Sequence, residues 1–357
     1  MKNSLLFIFI TFLLSTHCYS QFSKTHYIPP LTNSTTQEPQ GQYLYISCPS
    51  ITPISFSILS IGGGTVTGTV SRSNPYIYTI GFGFDTQLMI DHSEINTIKS
   101  NKGFIVEAED LIYVTVRLTA TPQNFQAGGL VSKGIASLGT QFRVGAFVNT
   151  GLPNYSNVHL TFATILATEN NTVVSFDDIE PGADLVNDGG SGNTPASILL
   201  NAGESYSLAV EGPNNTNRDA LIGALIASNK PIAVNCGSFA GSNGDATNID
   251  LGFDQIVSVE RTGKEYIFIK GSGVDVIERP LLIAHEDGTN IFLNGSATPF
   301  NATPLQAGEY LVLDGTSFSS NGNLYVSSNN NIFAYQGIGG STFQANQNMH
   351  FLPPLSF

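Results

Sequence analysis

A run of residue types recurs along this chain, and every copy keeps the same order of elements. A polar turn comes first, an Ala-Gly-Glu turn follows, and a Ser-Asn pair with a later Ile and Gly closes the copy. The two clearer copies hold these elements at residues 167–173, 202–204 and 228–237, and at residues 284–291, 307–309 and 328–337. A fixed order with variable loop length is typical of duplicated structural units. Repeated units of this kind present surfaces more often than a single catalytic centre.

An earlier, more degenerate copy precedes these two. Residues 74–78 (NPYIY) stand where the Ala-Gly-Glu strand would be, and residues 107–112 (EAEDLI) replace the Ser-Asn element. A strand after a glycine opens each copy, at residues 41–46, 139–144 and 263–268. The sequence therefore predicts three units, each about the size of a small domain. Their predicted bounds are residues 22–134, 135–257 and 258–350.

Strand patterns dominate the whole length. In residues 204–210, Tyr206, Leu208 and Val210 alternate with smaller or polar residues and would share one face. Residues 111–118 (LIYVTVRL) form a run of β-branched and aromatic residues. No window carries a sustained helical stripe with caps. The sequence predicts an all-β fold of three related, antiparallel, sandwich-like units, arranged in tandem or sharing one core.

The first twenty residues have the pattern of a signal peptide. Lys2 precedes an apolar core of ten residues at 5–14, and small residues at positions 18 and 20 suit a cut before Gln21. Ten apolar residues are too few to cross a bilayer, which needs about 20. We predict an exported protein without a transmembrane segment.

The two ends of the chain carry matching strings. Residues 26–32 (HYIPPLT) resemble residues 350–356 (HFLPPLS). The first string leads into a unit. The second is either a closing strand or, as we favour, the start of a further module at residues 351–357.

The charge balance excludes two classes of partner. The full chain has a formal net charge of −13, and loss of the leader would remove one more positive charge, Lys2. Nucleic acids and anionic membranes select for clustered lysine and arginine. We therefore expect an extracellular protein or glycan as the partner.

Cys48 and Cys236 are the cysteines that remain after the predicted cleavage. They lie in different units, so a disulfide between them would join two units of an exported protein. Alternatively, both are buried free thiols that pack as small apolar groups.

Several strings together resemble the amino-terminal domain of IgG-Fc-binding-protein-like sequences, in the form found in exported, gliding-motility-associated proteins of Bacteroidetes. The strings are residues 126–134 (QAGGLVSKG), 166–172 (LATENNT), 228–234 (SNKPIAV), 252–257 (GFDQIV) and 333–337 (FAYQG). The resemblance implies a cell-surface or secreted, adhesin-like role without catalytic residues. Longer members carry further extracellular modules and a type IX secretion domain. We do not carry immunoglobulin binding over to this chain.

Acidic loops offer candidate ligands for calcium. Asp245, Asp250 and Asp254 place several oxygen ligands close together, as calcium sites in extracellular β proteins do. The spacing matches neither an EF-hand nor a nonapeptide array, so plain solvated loops are the alternative. No other cofactor is expected.

Two glutamates that recur in the repeat are the strongest candidates for catalytic carboxylates. Glu169 and Glu286 recur at matching positions of the polar turn. An active-site residue need not occur in every copy, whereas a turn residue would, so we interpret both as structural. The histidines lack metal-ligand spacing, and no nucleophile elbow or phosphate-binding loop occurs. We predict no catalytic residues.

The sequence thus predicts an exported binding or adhesion module that uses surface complementarity. The longest polar insertions, at residues 177–195 and 241–254, are the predicted contact loops. A structural spacer of a larger surface protein is one alternative. A carbohydrate-active enzyme is the other, and it would need two buried acids facing each other across about 5–10 Å.

Overall fold

The structure is a computed structural model that describes residues 21–121, 125–149, 159–189, 195, 197–212, 215–244, 249–339 and 347–355. The predicted signal peptide and Asp245 lie outside these residues. Within them, the chain is all-β and mainly antiparallel, which confirms the predicted fold class. No helix in this part of the chain is long and apolar enough to cross a membrane.

The strands form three large sheets, which we call sheets I, II and III, and one small parallel pair. Sheet I contains β1 (Ser23–Ile28), β3 (Pro39–Ser47), β4 (Ile54–Ser60), β5 (Thr65–Val70), β6 (Tyr76–Gly81), β9 (Phe104–Ala120) and β10 (Gln126–Val131). The small pair is β2 (Leu31–Thr32) with β7 (Met89–Ile90).

Sheet II contains β8 (Ile98–Lys99), β11 (Gly139–Arg143), β12 (Leu160–Ala167), β13 (Thr172–Asp177), β14 (Ile198–Leu200), β15 (Ser205–Glu211), β16 (Leu225–Gly241) and β17 (Asp250–Ile256). Sheet III contains β18 (Gly263–Ile269), β19 (Arg279–Ala284), β20 (Ile291–Leu293), β21 (Tyr310–Val312), β22 (Asn323–Ile338) and β23 (Asn348–Phe351). One helical turn, α1 (Asn215–Arg218), and four short 3-10 turns complete the secondary structure of the described residues.

One long strand organises each sheet. In sheet I the first half of β9 pairs with β1 and β4, and its second half pairs with β3 and β10. In sheet II, β16 pairs in the same way with β11 and β13, and then with β12 and β17. In sheet III, β22 does so with β18 and β20, and then with β19 and β23. The three sheets therefore repeat one pairing scheme.

In sheet I, the strand equivalent to the opening strands of the other two sheets is not the one that the sequence predicts. Residues 41–46 belong to β3, which pairs as β12 and β19 do. The strand that matches β11 and β18 is β1, and all three share a register shift after their first paired residue. The first residue of the strand is a glycine in the later copies, Gly139 and Gly263, but Ser23 in the first, so the glycine pattern selected the wrong strand.

The hydrogen bonds of the repeated turns match one for one. Gly203 and Gly308 adopt φ values of +82° and +83°, which glycine adopts without steric cost. Their amides donate to Ala167 O and Ala284 O. The Ala-Gly-Glu elements are therefore the same turn in sheets II and III.

Sheet II lies between the other two sheets. On one of its faces, Phe162, Phe239 and Phe253 share a buried cluster with core residues of sheet I such as Leu44. Residues on the opposite face, among them Ile165, share a second cluster with core residues of sheet III. The core is thus continuous from sheet to sheet, which explains why β12 and β17 are buried along their whole length.

Cys48 and Cys236 are both buried free thiols, so the disulfide alternative is not what the structure shows. Cys236 accepts a hydrogen bond from the Gly145 amide at 3.4 Å. Burial raises the pKa of the Cys236 thiol to about 12, which keeps it neutral.

Candidate functional site

A groove runs over the outer face of sheet I. Side chains alternate along a strand, so Leu44 and Ile46 of β3 enter the core while Tyr43 and Tyr45 face outward. The register then sets Tyr45 beside Thr115 of β9. The same register sets Tyr43 beside Arg117 and Ser47 beside Tyr113.

The groove has a volume of about 840 Å³. Its floor is the outer surface of β3, β9 and β10, and its far wall comes from sheet III, where Gln347, Asn348 and His350 line it. Residues from both ends of the chain therefore form one concavity. A second, smaller depression of about 410 Å³ adjoins it at Tyr43 and extends to the exposed Phe82.

Tyrosines give the groove its aromatic character. The rings of Tyr43 and Tyr45 meet edge to face, with centroids 6.1 Å apart. Tyr113 packs on Phe22 at 5.7 Å. Desolvation raises the pKa of Tyr113, the nearby Asp254 charge raises it further, and Arg117 opposes both. Tyr113 is therefore a neutral hydroxyl that can both donate and accept a hydrogen bond.

Glycines keep the floor of the groove low. A Cβ at Gly41 would lie 2.8 Å from the Tyr43 ring. A Cβ at Gly129 would lie 2.7 Å from Val116 O and 3.2 Å from Arg117 Cδ. Both positions therefore need glycine for close packing. The glycine on β10, Gly129, belongs to the Gln-Ala-Gly-Gly string of the sequence.

The predicted metal residues Asp250 and Asp254 lie on β17, beneath this groove, and are buried. Asp250 accepts hydrogen bonds from the amides of Ala127 at 2.8 Å and Gln347 at 2.7 Å. Asp254 accepts them from the amides of Val131 at 3.1 Å and Phe351 at 3.0 Å. Each aspartate thus joins β17 to β10 on one side and to the β23 segment on the other.

These bonds occupy outward amides at the edges of β10 and β23. An edge strand presents unpaired amides that invite another strand to pair with it. On β23, the amide between the two capped ones, that of Met349, donates to Asn348 Oδ1 at 2.8 Å. Gly128 permits the approach, because a Cβ there would lie 2.6 Å from Leu251 O. The aspartates therefore serve as caps where the three sheets meet.

The surroundings of Asp254 favour this structural role over cation binding. Lys133 Nζ lies 3.0 and 2.9 Å from its two carboxylate oxygens, so a cation at Asp254 would face an ammonium group. No cluster of three or more His, Cys, Asp or Glu side chains that could hold a metal occurs among the described residues. Because Asp245 lies outside those residues, the calcium set of Asp245, Asp250 and Asp254 stays a prediction.

The repeated glutamates contribute their backbones to the polar turns. Thr172 Oγ1 donates to Glu169 O at 2.7 Å, and Thr289 Oγ1 donates to Glu286 O at 2.6 Å. In each turn, the side chain that forms this hydrogen bond thus belongs to the threonine three residues after the glutamate, and it stabilises the turn.

The predicted contact loops hold strands and core residues. Residues 250–254 belong to β17, and Ala183 and Leu185 of the other loop are buried in the core. Residues 190–194, 196 and 245–248 lie outside the described part. The groove was missed because its lining comes from four strands with no shared local pattern. The alternating tyrosines of β3 were the one available signal.

Comparison with known proteins identifies the family. The profile of the IgGFc binding protein family matches residues 128–357. That span includes β10 from Gly128 onward and the β23 wall of the groove, while Tyr43, Tyr45, Tyr113 and Arg117 precede it. No curated protein matches the chain.

Similar solved structures are remote. A 1.5-MDa bacterial ice-binding adhesin, described for host cell surface retention, is 11% identical over 88% of this chain and 90% of its own, with a TM-score of 0.13. A family GH78 rhamnosidase of Bacillus sp. GL1 is 10% identical over 93% and 55%, with a TM-score of 0.16. A Ca2+-stabilized adhesin of an Antarctic bacterium is 11% identical over 88% and 69%, with a TM-score of 0.14. None is close enough to carry an argument, whereas the profile match covers well over half of the chain, which therefore belongs to the IgGFc binding protein family.

Proposed function

We propose that this chain is an exported binding or adhesion module, secreted or held at the cell surface, that captures an extracellular protein or glycan without bond chemistry. The tyrosine-lined groove carries the proposal. Ligand sites are typically concave, largely apolar and furnished with a few polar groups, and this groove combines three tyrosines with Arg117 and Asn348. Membership of a family named for binding supports the same reading.

Screening the purified chain from Gln21 onward against arrays of glycans and extracellular proteins, with an immunoglobulin Fc fragment included, tests the proposal. We expect a specific ligand whose affinity falls at least about tenfold in the double variant Tyr43→Ala, Tyr45→Ala, because aromatic side chains dominate binding energies. Both rings line the outer face of the sheet, so their loss should leave the core intact.

Tyr325→Ala is the matched control. Tyr325 lies on β22 in sheet III, where its hydroxyl donates to Glu265, and it does not line the groove. A ligand that Tyr325→Ala weakens as much as the groove variant does would place binding elsewhere. A chain that captures nothing on either array would favour the spacer alternative.

Export is tested separately through the amino terminus. If residues 1–20 are a signal peptide, the exported protein begins at Gln21 by mass spectrometry. An exported or cell-retained protein that still carries Lys2 would contradict this part of the proposal.

A further inference from the structure

The charge of the groove is opposite to that of the chain. The sequence has 27 acidic and 14 basic residues. The described lining of the groove nevertheless includes Arg117 and no carboxylate side chain. Burial lowers the pKa of His350, the other basic side chain of the lining, so the positive charge of the groove comes from Arg117.

Two buried acids lie behind the floor: Asp254 is paired with Lys133. Asp250 accepts hydrogen bonds from the amides of Ala127 and Gln347, and burial raises its pKa to about 7, which reduces its negative charge. The groove is therefore a locally cationic surface on an acidic protein, and such a surface favours an anionic ligand.

Arg117 is placed to receive that anion. It is exposed, and within the described part of the chain no carboxylate lies within ion-pair distance of its guanidinium. The absence of a side chain at Gly129 leaves room for its aliphatic stem, whose Cδ would lie 3.2 Å from a Cβ there. An exposed guanidinium group presents coplanar N–H donors that can form a bidentate pair of hydrogen bonds with a carboxylate.

The remaining lining suits sugar rings. Tyr43, Tyr45 and Tyr113 offer aromatic faces that end in hydroxyl groups, and Thr115 and Asn348 add donors and acceptors between them. A saccharide presents apolar C–H faces and many hydroxyls, so it can satisfy both kinds of group at once.

The capped edges disfavour an extended peptide. A peptide that binds by strand addition needs free amides on an edge strand. In the walls of this groove, the amides of Ala127 and Val131 on β10 are bonded to carboxylates, as are those of Gln347 and Phe351. These four amides are therefore not available for strand addition, which favours a ligand that is recognised mainly by side chains.

We propose that the groove binds a carboxylated saccharide, with its sugar rings against Tyr43 and Tyr45 and its carboxylate on Arg117. This inference rests on the proposed binding function and names the ligand class for that site.

Three probes of similar size test it: hexagalacturonate, its neutral methyl ester, and hexaglutamate. Titration calorimetry of the chain from Gln21 onward should show the acidic saccharide binding at least about tenfold more tightly than the ester. The affinity should also fall with added salt, because the contact is partly exposed.

Arg117→Gln should remove most of the preference for the acid over the ester. Arg261→Gln is the matched control, because Arg261 is likewise exposed but lies outside the groove. Equal binding of acid and ester, or an acid preference that survives Arg117→Gln, would overturn the inference. Tight binding of hexaglutamate that depends on Arg117 would overturn it in favour of an acidic peptide.

The failure of this inference is distinguishable from that of the proposed function. If none of the three probes binds but a protein or neutral glycan still depends on Tyr43 and Tyr45, the ligand class is wrong and the binding function stands. If nothing binds and the array screen is also blank, both fail.

Discussion

The Lys133 ammonium group lies 2.9 and 3.0 Å from the two carboxylate oxygens of Asp254, and the two side chains are only 7% and 2% exposed. The same carboxylate accepts hydrogen bonds from Val131 of sheet I and Phe351 of sheet III. One buried ion pair thus ties all three sheets together directly beneath the candidate binding groove.

Lys133→Met should destabilise the protein strongly. The variant keeps most of the apolar stem but leaves the buried Asp254 carboxylate without its counter-charge. Removing one partner of a buried ion pair typically costs about 3–5 kcal/mol. Because backbone amides still donate to Asp254, we expect a loss of about 3 kcal/mol in the free energy of unfolding, measured by urea denaturation.

Lys24→Met provides the matched control. Lys24 pairs with Asp110 at 3.9 Å, and both side chains are more than half exposed. An exposed pair contributes little, so the change should stay within about 0.5 kcal/mol. Similar losses in the two variants would mean that Lys133 does not stabilise a buried charge.

The pH dependence of stability should report on Asp250. Desolvation raises the pKa of Asp250 to about 7, although the amides of Ala127, Leu251 and Gln347 oppose the shift. Its folded-state pKa is therefore above the unfolded value, and the stability that its protonation contributes is fully present below about pH 4. That contribution is lost as the pH rises through 7.

Asp250→Asn removes this titration. Between pH 4 and pH 7 the wild type should therefore lose unfolding free energy relative to the variant. Urea denaturation at a series of pH values measures it. A difference that is constant over this range would show that Asp250 does not titrate there.

Chelation separates the two roles considered for the aspartates of β17. If Asp250 and Asp254 act as caps for amides, their oxygens are already engaged and EDTA should leave the melting temperature unchanged. A melting temperature that falls in EDTA and recovers with added calcium would instead support the predicted calcium set that includes Asp245.

Both thiols should be unreactive in the native protein. Cys48 is 5% exposed and Cys236 is fully buried, with its thiol pKa raised to about 12 by burial. Because the thiolate is the reactive form, a disulfide-exchange reagent should label neither residue at pH 8 until urea is added. Two thiols per chain beginning at Gln21 should then react without prior reduction. Labelling that requires a reductant would indicate a disulfide.

Much of the fold could be predicted because its patterns are local. Alternation in residues 204–210 and the Ala-Gly-Glu turns depend on neighbours in sequence, and both appear in the structure as β15 and a glycine turn. The same reasoning failed for residues 250–254, where Asp250, Gly252 and Asp254 look like a polar loop. They form a strand because amides of other strands satisfy the carboxylates.

The groove could not be predicted for a related reason. Tyr43 and Asn348 line one concavity although most of the chain lies between them in sequence. Their proximity depends on how sheets I and III meet across β17. No pattern within one strand encodes that arrangement, whereas the outward position of Tyr43 and Tyr45 follows from alternation alone.

The repeated polar turns supply a prediction about which of their residues matter. Asn229 Oδ1 accepts the Val173 amide at 2.8 Å, and Asn329 Oδ1 accepts the Asn290 amide at 2.7 Å. The Asn329 amide group also donates to Gly288 O at 3.0 Å, so Asn329→Ala removes two hydrogen bonds. At about 1 kcal/mol for each bond, it should cost about 1–2 kcal/mol in the free energy of unfolding. Glu286→Gln should cost nearly nothing, because Glu286 acts in the turn through its backbone carbonyl. Urea denaturation of both variants, with ligand affinity measured beside it, separates a turn residue from a functional acid. A Glu286→Gln variant with normal stability but lost function would return this glutamate to the list of functional candidates, and Glu169→Gln would then show whether its counterpart in sheet II behaves the same way.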